Sequence, residues 1–329
     1  MSAGVAADLA PAVSVVLATS SAPTVRRTLG DYRAQTIACR LEVVLVAPPA
    51  ELARVAPEGA PELSRLVRVA AAEPFDLPAA RARGFLAASA RWVFVGETHS
   101  FPQPAMMESL LSAAERSTAA ERAHCLMPLI DNANPSCAAS WASLLIDYGA
   151  WGPGRGESDA VRPPIYNALF DRETVARRGA DLARALSPHD DSLFPLPAGP
   201  GVRARFVPAA AILHLNVERF ADFAVSKYFS GLANGASRAA RWGWPRRLAY
   251  AAAAPLIAAL LFRRYLAATR AVRSVRRLPA GVVPWLVLGA VVRAAGEAQG
   301  YLGAAPAWVE ARVQHFEIHK ADFVKGWVQ

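Results

Sequence analysis

Acidic residues are absent from one long stretch of this 329-residue chain: none occurs between Asp222 and Glu297. The same stretch holds Lys227 and eleven arginines. With a net charge of +9, those twelve cations leave the rest of the chain at −3. The basicity therefore belongs to one segment. Its arginines are interleaved with apolar runs, which suits an anionic membrane surface and argues against a nucleic-acid groove. Cysteine is scarce. Cys39, Cys125 and Cys137 are odd in number and lack metal-ligand spacing, so a disulfide framework is excluded and a reducing compartment is expected. No repeat of solenoid period is present. Residues 1–12 lack a basic start followed by a long apolar core, so they read as a flexible leader rather than a secretory signal. Charged residues make up only 19% of the chain and apolar ones 53%, enough for a sizeable core.

What is present alternates. The apolar, β-branched run Val13–Ala18 predicts a buried parallel strand, followed by turn chemistry at Ser20-Ser21-Ala22-Pro23 and a helix over 25–35. Strands are predicted at 42–46, 66–69 and 92–95, separated by helices around 51–55 and 77–90. Such alternation argues for βαβ units and a mostly parallel sheet. Beyond it come a helix over 104–119, a strand at 124–129, the turn-rich Asp131–Pro135, and helices at 140–148 and 171–179. Two short strands follow, at 203–207 and 211–215. From Val217 the chain reads as helical, basic and apolar, giving three parts: the leader, a domain over 13–216 and a helical region over 217–329.

Several of these segments, in this order, resemble the family 2 glycosyltransferases. The clearest are Ala80-Arg81-Ala82-Arg83-Gly84 and Trp92-Val93-Phe94-Val95-Gly96-Glu97-Thr98-His99, similar to that family's helix and strand leading into an acidic metal-binding motif. The first βαβ unit, Tyr166–Arg172, His189-Asp190-Asp191 and Arg205–Pro208 followed by His214 extend the likeness over about two-thirds of the chain. The resemblance implies a GT-A fold, a Rossmann-like, mostly parallel sheet flanked by helices, here with a basic, apolar helical extension. It implies an inverting transfer from a nucleotide-sugar donor to a lipid-linked or surface-glycan acceptor. Donor binding falls to Ala18, Thr19, Ser20, Arg81 and Glu97, and the acceptor side to Tyr166 and Asn167. Asp190 or Asp191 is the base that removes the acceptor proton.

The chemistry accounts for those residue types. A diphosphate leaving group needs a divalent cation as Lewis acid, Mn²⁺ or Mg²⁺. Glu97 and His99, alternate residues of a turn after a strand, can flank one ion, with His214 as a further ligand or a core histidine. A Glu-x-His pair is softer than two aspartates and suits Mn²⁺. Two departures stand out: Ala47-Pro48 where the family carries acids, and His189 where a Glu is usual. They leave a catalytically inactive scaffold as the alternative reading, with Glu73 or Asp76 as possible substitutes. In the basic region, Leu248–Phe262 and Leu278–Val292 each run 15 residues without a charge, short of the roughly 20 a spanning helix needs. They read as interfacial or re-entrant segments with arginines at headgroup level, at the cytoplasmic face of the cell's inner membrane. Trp242 and Trp244 beside Arg246-Arg247 read as interfacial anchors.

Overall fold

The computed structural model describes residues 10–55, 59–116, 123–157, 164–187, 204–303 and 305–325. In chain order the elements are β1 (Val13–Ala18), α1 (Ala22–Arg33), β2 (Leu41–Ala47), α2 (Pro49–Leu52), β3 (Arg65–Ala70), α3 (Leu77–Ala87), β4 (Trp92–Val95), β5 (Ser100–Pro102), α4 (Met106–Arg116), β6 (Cys125–Asn132), α5 (Ala138–Asp147), β7 (Ala168–Asp171), α6 (Arg172–Ala176), α7 (Leu182–Ala185) and β8 (Ala204–His214). Helices α8 (Phe220–Ala239), α9 (Trp244–Ala252), α10 (Ala254–Arg273), α11 (Val282–Leu302) and α12 (Ala307–Ile318) follow. Of the described residues, one compact unit takes those up to 128 with 164–187 and 204–212; a second takes 129–157 and those from 213 on. Strands β6 and β8 continue from the first into the second.

One eight-stranded sheet has the order β3-β2-β1-β4-β7-β6-β8-β5. It is parallel across β3-β2-β1-β4, with Val13 opposite Leu41 and Trp92. β7 runs antiparallel to both β4 and β6, so the sheet is mixed rather than mostly parallel. β1 and β2 are buried along their whole length, as their mainly apolar, β-branched sequences require, with Ser14 and Glu42 the polar exceptions. Helix α3 starts where Asp76 Oδ1 accepts the Ala79 N–H at 3.1 Å, with Pro78 in its first turn. It lies against β1 and β2 at Gly84, where a Cβ would fall 2.5 Å from Val16 Cγ1. Only glycine permits that approach, which presses the neighbouring turn of α3, and Arg81 with it, onto the sheet.

Three expectations are corrected. The pair of short strands around Pro208 is a single strand, β8, of 11 residues. Its neighbour β5 has only three residues, too few to pair along all of it, so the missing proline N–H is tolerated. Strands β5 and β7 are additional to the sequence reading. The breakers of 278–292 fall at or before the start of one long helix, α11, which they do not interrupt: Gly281, at φ 88°, caps it, and it is buried at Leu286, Ala290 and Ala294. Helices α8 and α11 meet through glycines. A Cβ on Gly235 would stand 2.3 Å from the Glu297 carbonyl oxygen, and one on Gly296 2.2 Å from that of Tyr228. This is small-residue packing of backbone on backbone. No single described helix is long and apolar enough to cross a membrane; α9 and α10 together reach that length and hydropathy but bend by 62° between them.

A buried carboxylate ties the parallel strands together. Glu42 on β2 accepts from Ser14 Oγ on β1 at 2.6 Å, from Ser89 N at 2.8 Å and from Arg65 Nε on β3 at 2.7 Å. Burial alone would raise its pKa, but the hydrogen bonds from Ser14, Ser89 and Arg65 outweigh it and hold the group below the ordinary 4.5. A depressed carboxylate pKa gives stability that is complete above the unfolded-state value and lost as pH falls through the folded-state one. Glu42→Gln is expected to cost about 2 kcal/mol at neutral pH. In urea unfolding, the gap between wild type and variant should narrow only below pH 4.5. A gap that stays constant into the acid range would contradict this account.

Candidate metal and donor site

Strand β4 ends at Val95 and the chain turns through Gly96-Glu97-Thr98-His99 into β5. The turn is held from α1, where Thr28 Oγ1 donates to the Thr98 carbonyl at 2.8 Å. Glu97 and His99 are 2% and 4% exposed. They are therefore not the solvated strand-end residues that an isolated Glu-x-His would suggest. Glu97 Oε2 accepts from Asn167 Nδ2 at 2.6 Å and from Ser100 Oγ at 3.0 Å, and lies 3.7 Å from His99 Nε2. Asn167 takes the left-handed region, φ 53°, with its own N–H on the Val95 carbonyl at 2.7 Å. Asparagine tolerates that conformation better than most residues.

His214 is the last residue of β8. It is buried, as Glu97 and His99 are. Burial, helped by Lys320, pushes the His214 imidazole down to about 3, so it is neutral at physiological pH. A neutral imidazole is the form that ligates. In the turn after β4, the Glu97 carboxylate and the His99 imidazole, 3.7 Å apart and desolvated, are a donor pair that fits a first-row divalent ion.

Arg81 is 3% exposed. Its guanidinium lies over the Tyr166 ring, 3.5 Å from the centroid, and its Nε and Nη1 find no hydrogen-bond partner among the described residues. A buried cation with open donors is costly unless an anion completes it. Tyr166 precedes Asn167, so two consecutive residues connect Arg81 with Glu97. Tyr32 adds a fully buried hydroxyl whose pKa is raised by burial first, then by the nearby Asp31 and Glu97.

The remaining expected residues fall as follows. Ala18 ends β1 and Ser20 follows it. Thr19 is buried, and its hydroxyl binds the Ser21 main chain and Thr24, shaping the β1–α1 loop. Tyr166 and Asn167, expected on the acceptor side, touch Arg81 and Glu97. Asp76 caps α3. His189, Asp190 and Asp191 lie outside the described residues. At Ala47-Pro48 the strand ends without an acid, but Glu51 Oε2 accepts the Ala22 N–H at 2.7 Å at the start of α1. Residues not foreseen are Thr28, Tyr32 and Ser100, together with three asparagines around His214. Of these, 132 and 134 read from sequence only as turn formers.

Asn167 carries both a hydrogen bond and a conformational demand, and two variants separate them. Asn167→Gly and Asn167→Ala each remove the donor to Glu97, but only alanine resists positive φ. Alanine is expected to be the less stable by about 1 kcal/mol in denaturant unfolding. Equal stabilities would deny the left-handed geometry.

No protein-family model matches the chain, and no curated protein matches it. Among solved structures it is similar to a mannosyltransferase from Pyrobaculum calidifontis in complex with GDP-Man and Mn²⁺. The TM-score is 0.52 at 18% identity, over 88% of this chain and 87% of that one. At that identity the likeness is one of fold: this chain has a glycosyltransferase fold.

Proposed function

We propose that this protein is a metal-dependent glycosyltransferase of the GT-A type, related to family 2, that moves a sugar from a nucleotide-sugar donor to a lipid-linked or surface-glycan acceptor. The observation that carries the proposal is the buried Glu97–His99 pair, joined through Tyr166-Asn167 to the open guanidinium of Arg81. Glu97 and His99 would hold Mn²⁺ or Mg²⁺, with His214 proposed as a further ligand from the family resemblance. The ion supplies charge neutralisation for the departing diphosphate. Arg81 donates to the same anion, prepaying its orientation through the stack on Tyr166. In the inverting reaction the donor's anomeric C–O bond breaks as the acceptor oxygen bonds to that carbon. The nucleoside diphosphate leaves, and the acceptor proton passes to a carboxylate, for which Asp190 or Asp191 is proposed from the family resemblance. The fold shared with an enzyme solved with GDP-Man and Mn²⁺ supports a nucleotide sugar as donor.

A site with imidazole ligands favours Mn²⁺ over Mg²⁺. Calorimetric titration of GDP and UDP should show binding with Mn²⁺ present, weaker binding with Mg²⁺, and none in Glu97→Ala. Arg81→Met should weaken the Mn²⁺-supported binding by about tenfold or more. Absence of nucleotide binding to the wild type with Mn²⁺ present would overturn the proposal and favour the inactive-scaffold reading that Ala47-Pro48 motivates.

We further propose that the second unit holds the enzyme at the cytoplasmic face of the membrane, as a peripheral or re-entrant element. Among the described residues, eight of the twelve exposed large apolar side chains lie between Trp244 and Val291. Arg246 lies over Trp242 and Arg247 over Trp244, while Arg263, Arg264, Arg270 and Arg273 make no ion pair among the described residues. An apolar face flanked by unneutralised arginines suits anionic headgroups. In flotation assays the protein should rise with vesicles containing phosphatidylserine and not with neutral ones. Raised salt or paired Arg263→Glu, Arg264→Glu substitution should weaken that binding; equal recovery with neutral vesicles would refute the headgroup role.

A further inference from the structure

Within the second unit, one side of α10 lines a cavity. Leu261, Arg264, Tyr265 and Ala268 stand at helical i, i+3, i+4 and i+7 spacing and so share one stripe of the helix. The rest of the wall comes from the end of α5, the loop after it and α11, around a volume of about 370 Å³. Sites for small molecules run from about 300 to 1,000 Å³. Gly154 holds the loop against α10. Its φ is 81°, and a Cβ there would stand 1.9 Å from the Ala271 carbonyl oxygen. Only glycine allows that approach, which brings the nearby Trp151 and Arg155 to the wall.

Two donors of that loop are open. Trp151 Nε1 and Arg155 Nε are buried and find no hydrogen-bond partner among the described residues. An indole N–H and a guanidinium only donate, so what completes them is an acceptor. Arg264 and Arg293 add positive charge to the wall. Against these three arginines stands one carboxylate, Asp147, which already holds Lys227 and lies 3.7 Å from Arg293. The cavity is therefore cationic and calls for an anion with several acceptor oxygens, which is the pattern of a phosphate. A free phosphate would leave Leu145, Ile146 and Leu261 with nothing to cover them. On the same helix Leu256 and Leu260 are 62% and 45% exposed, so uncovered apolar surface accompanies the cationic wall.

We propose that this cavity is a site for one phosphate-bearing lipid, with Trp151, Arg155 and Arg264 on the phosphate and Leu145, Ile146 and Leu261 against the start of its apolar part. For the source of the lipid, the proposal rests on the reading of this unit as a membrane-surface element. It goes beyond that reading, because exposed arginines along a helix select charge alone, whereas a cavity selects a molecule by charge and shape.

The test uses the full-length protein with ¹⁵N-labelled indoles and the soluble lipid dihexanoyl phosphatidic acid. Adding it should move one indole N–H signal downfield, the signal missing from Trp151→Phe, and the shift should saturate. Calorimetry should show this lipid binding at least about tenfold more tightly than inorganic phosphate or dihexanoyl phosphatidylcholine, whose headgroup has no net charge. Arg155→Met should weaken the binding by about tenfold, and Arg155→Lys, which keeps the charge without the planar fork, by less. If no indole signal of the wild type moves, the site is overturned without recourse to any variant. Equal affinity for inorganic phosphate overturns the lipid as ligand, and equal affinity for phosphatidylcholine overturns recognition of the anion. A protein that floats with phosphatidylserine vesicles while its indoles ignore the short lipid keeps the membrane-surface reading and loses this site. Saturable binding of the short lipid by a protein that no anionic vesicle carries keeps the site and overturns the surface reading.

Discussion

The site depends on a carboxylate kept out of water. Glu97 is buried at the end of a buried strand, and desolvating an ionised carboxylate costs several kcal/mol unless donors replace the lost water. Asn167 and Ser100 supply two such donors. Each donor constrains the chain in turn. Ser100 opens β5, so the Glu97–His99 turn is pinned at both ends by strands. Asn167 reaches Glu97 from a left-handed backbone position at the start of β7. That strand runs antiparallel beside β4, which is how a residue 70 positions away arrives at the carboxylate. Placing Tyr166 under Arg81 is a consequence of the same geometry.

The basic segment shows a similar economy. Its lack of acids between Asp222 and Glu297 raised the question of where counter-charge comes from. Asp147, earlier in the chain, holds Lys227 and lies 3.7 Å from Arg293. Burial would raise the Asp147 pKa, yet Lys227 and Arg293 hold it below its ordinary value. Glu297, at the segment's end, takes Arg238 at 3.2 Å, and Asp131 takes Arg276 at 2.8 Å. The three cations on the packed faces of α8 and α11, Lys227, Arg238 and Arg293, therefore share two acids, Asp147 and Glu297. Along α10, Arg263, Arg264, Arg270 and Arg273 have no such acid among the described residues, which divides the segment into an internally neutralised part and an outward basic one.

Much of this was legible in the sequence where it rested on local pattern. β1, β2 and β4 are dominated by apolar and β-branched residues, interrupted only by Ser14 and Glu42. Glu97 and His99 stood out because of the strand before them. What escaped reading depends on long-range partners. β5 is three residues ending in proline, and β7 is a strand only because β4 and β6 flank it. Pro208 divided β8 on paper because a proline speaks against a fully paired strand, while its neighbour here pairs over only part of its length. The asparagines at 132 and 134 satisfy turn chemistry as written. Their partner is residue 216, more than 80 positions on, and nothing periodic announces it. The glycines of α8 and α11 likewise gain their meaning only from the carbonyls opposite.

Replacing a second acid by imidazole changes what must hold an ion in such a place. Two aspartates attract a divalent cation through two negative charges, and modest errors of orientation cost little, because that attraction is not directional. Glu97 with an imidazole offers one negative charge, and the remaining affinity has to come from directional nitrogen lone pairs. The ion-bound site would keep a net positive charge, which suits a diphosphate and complements Arg81. The binding of the ion, however, becomes sensitive to the tautomer and angle of each ring.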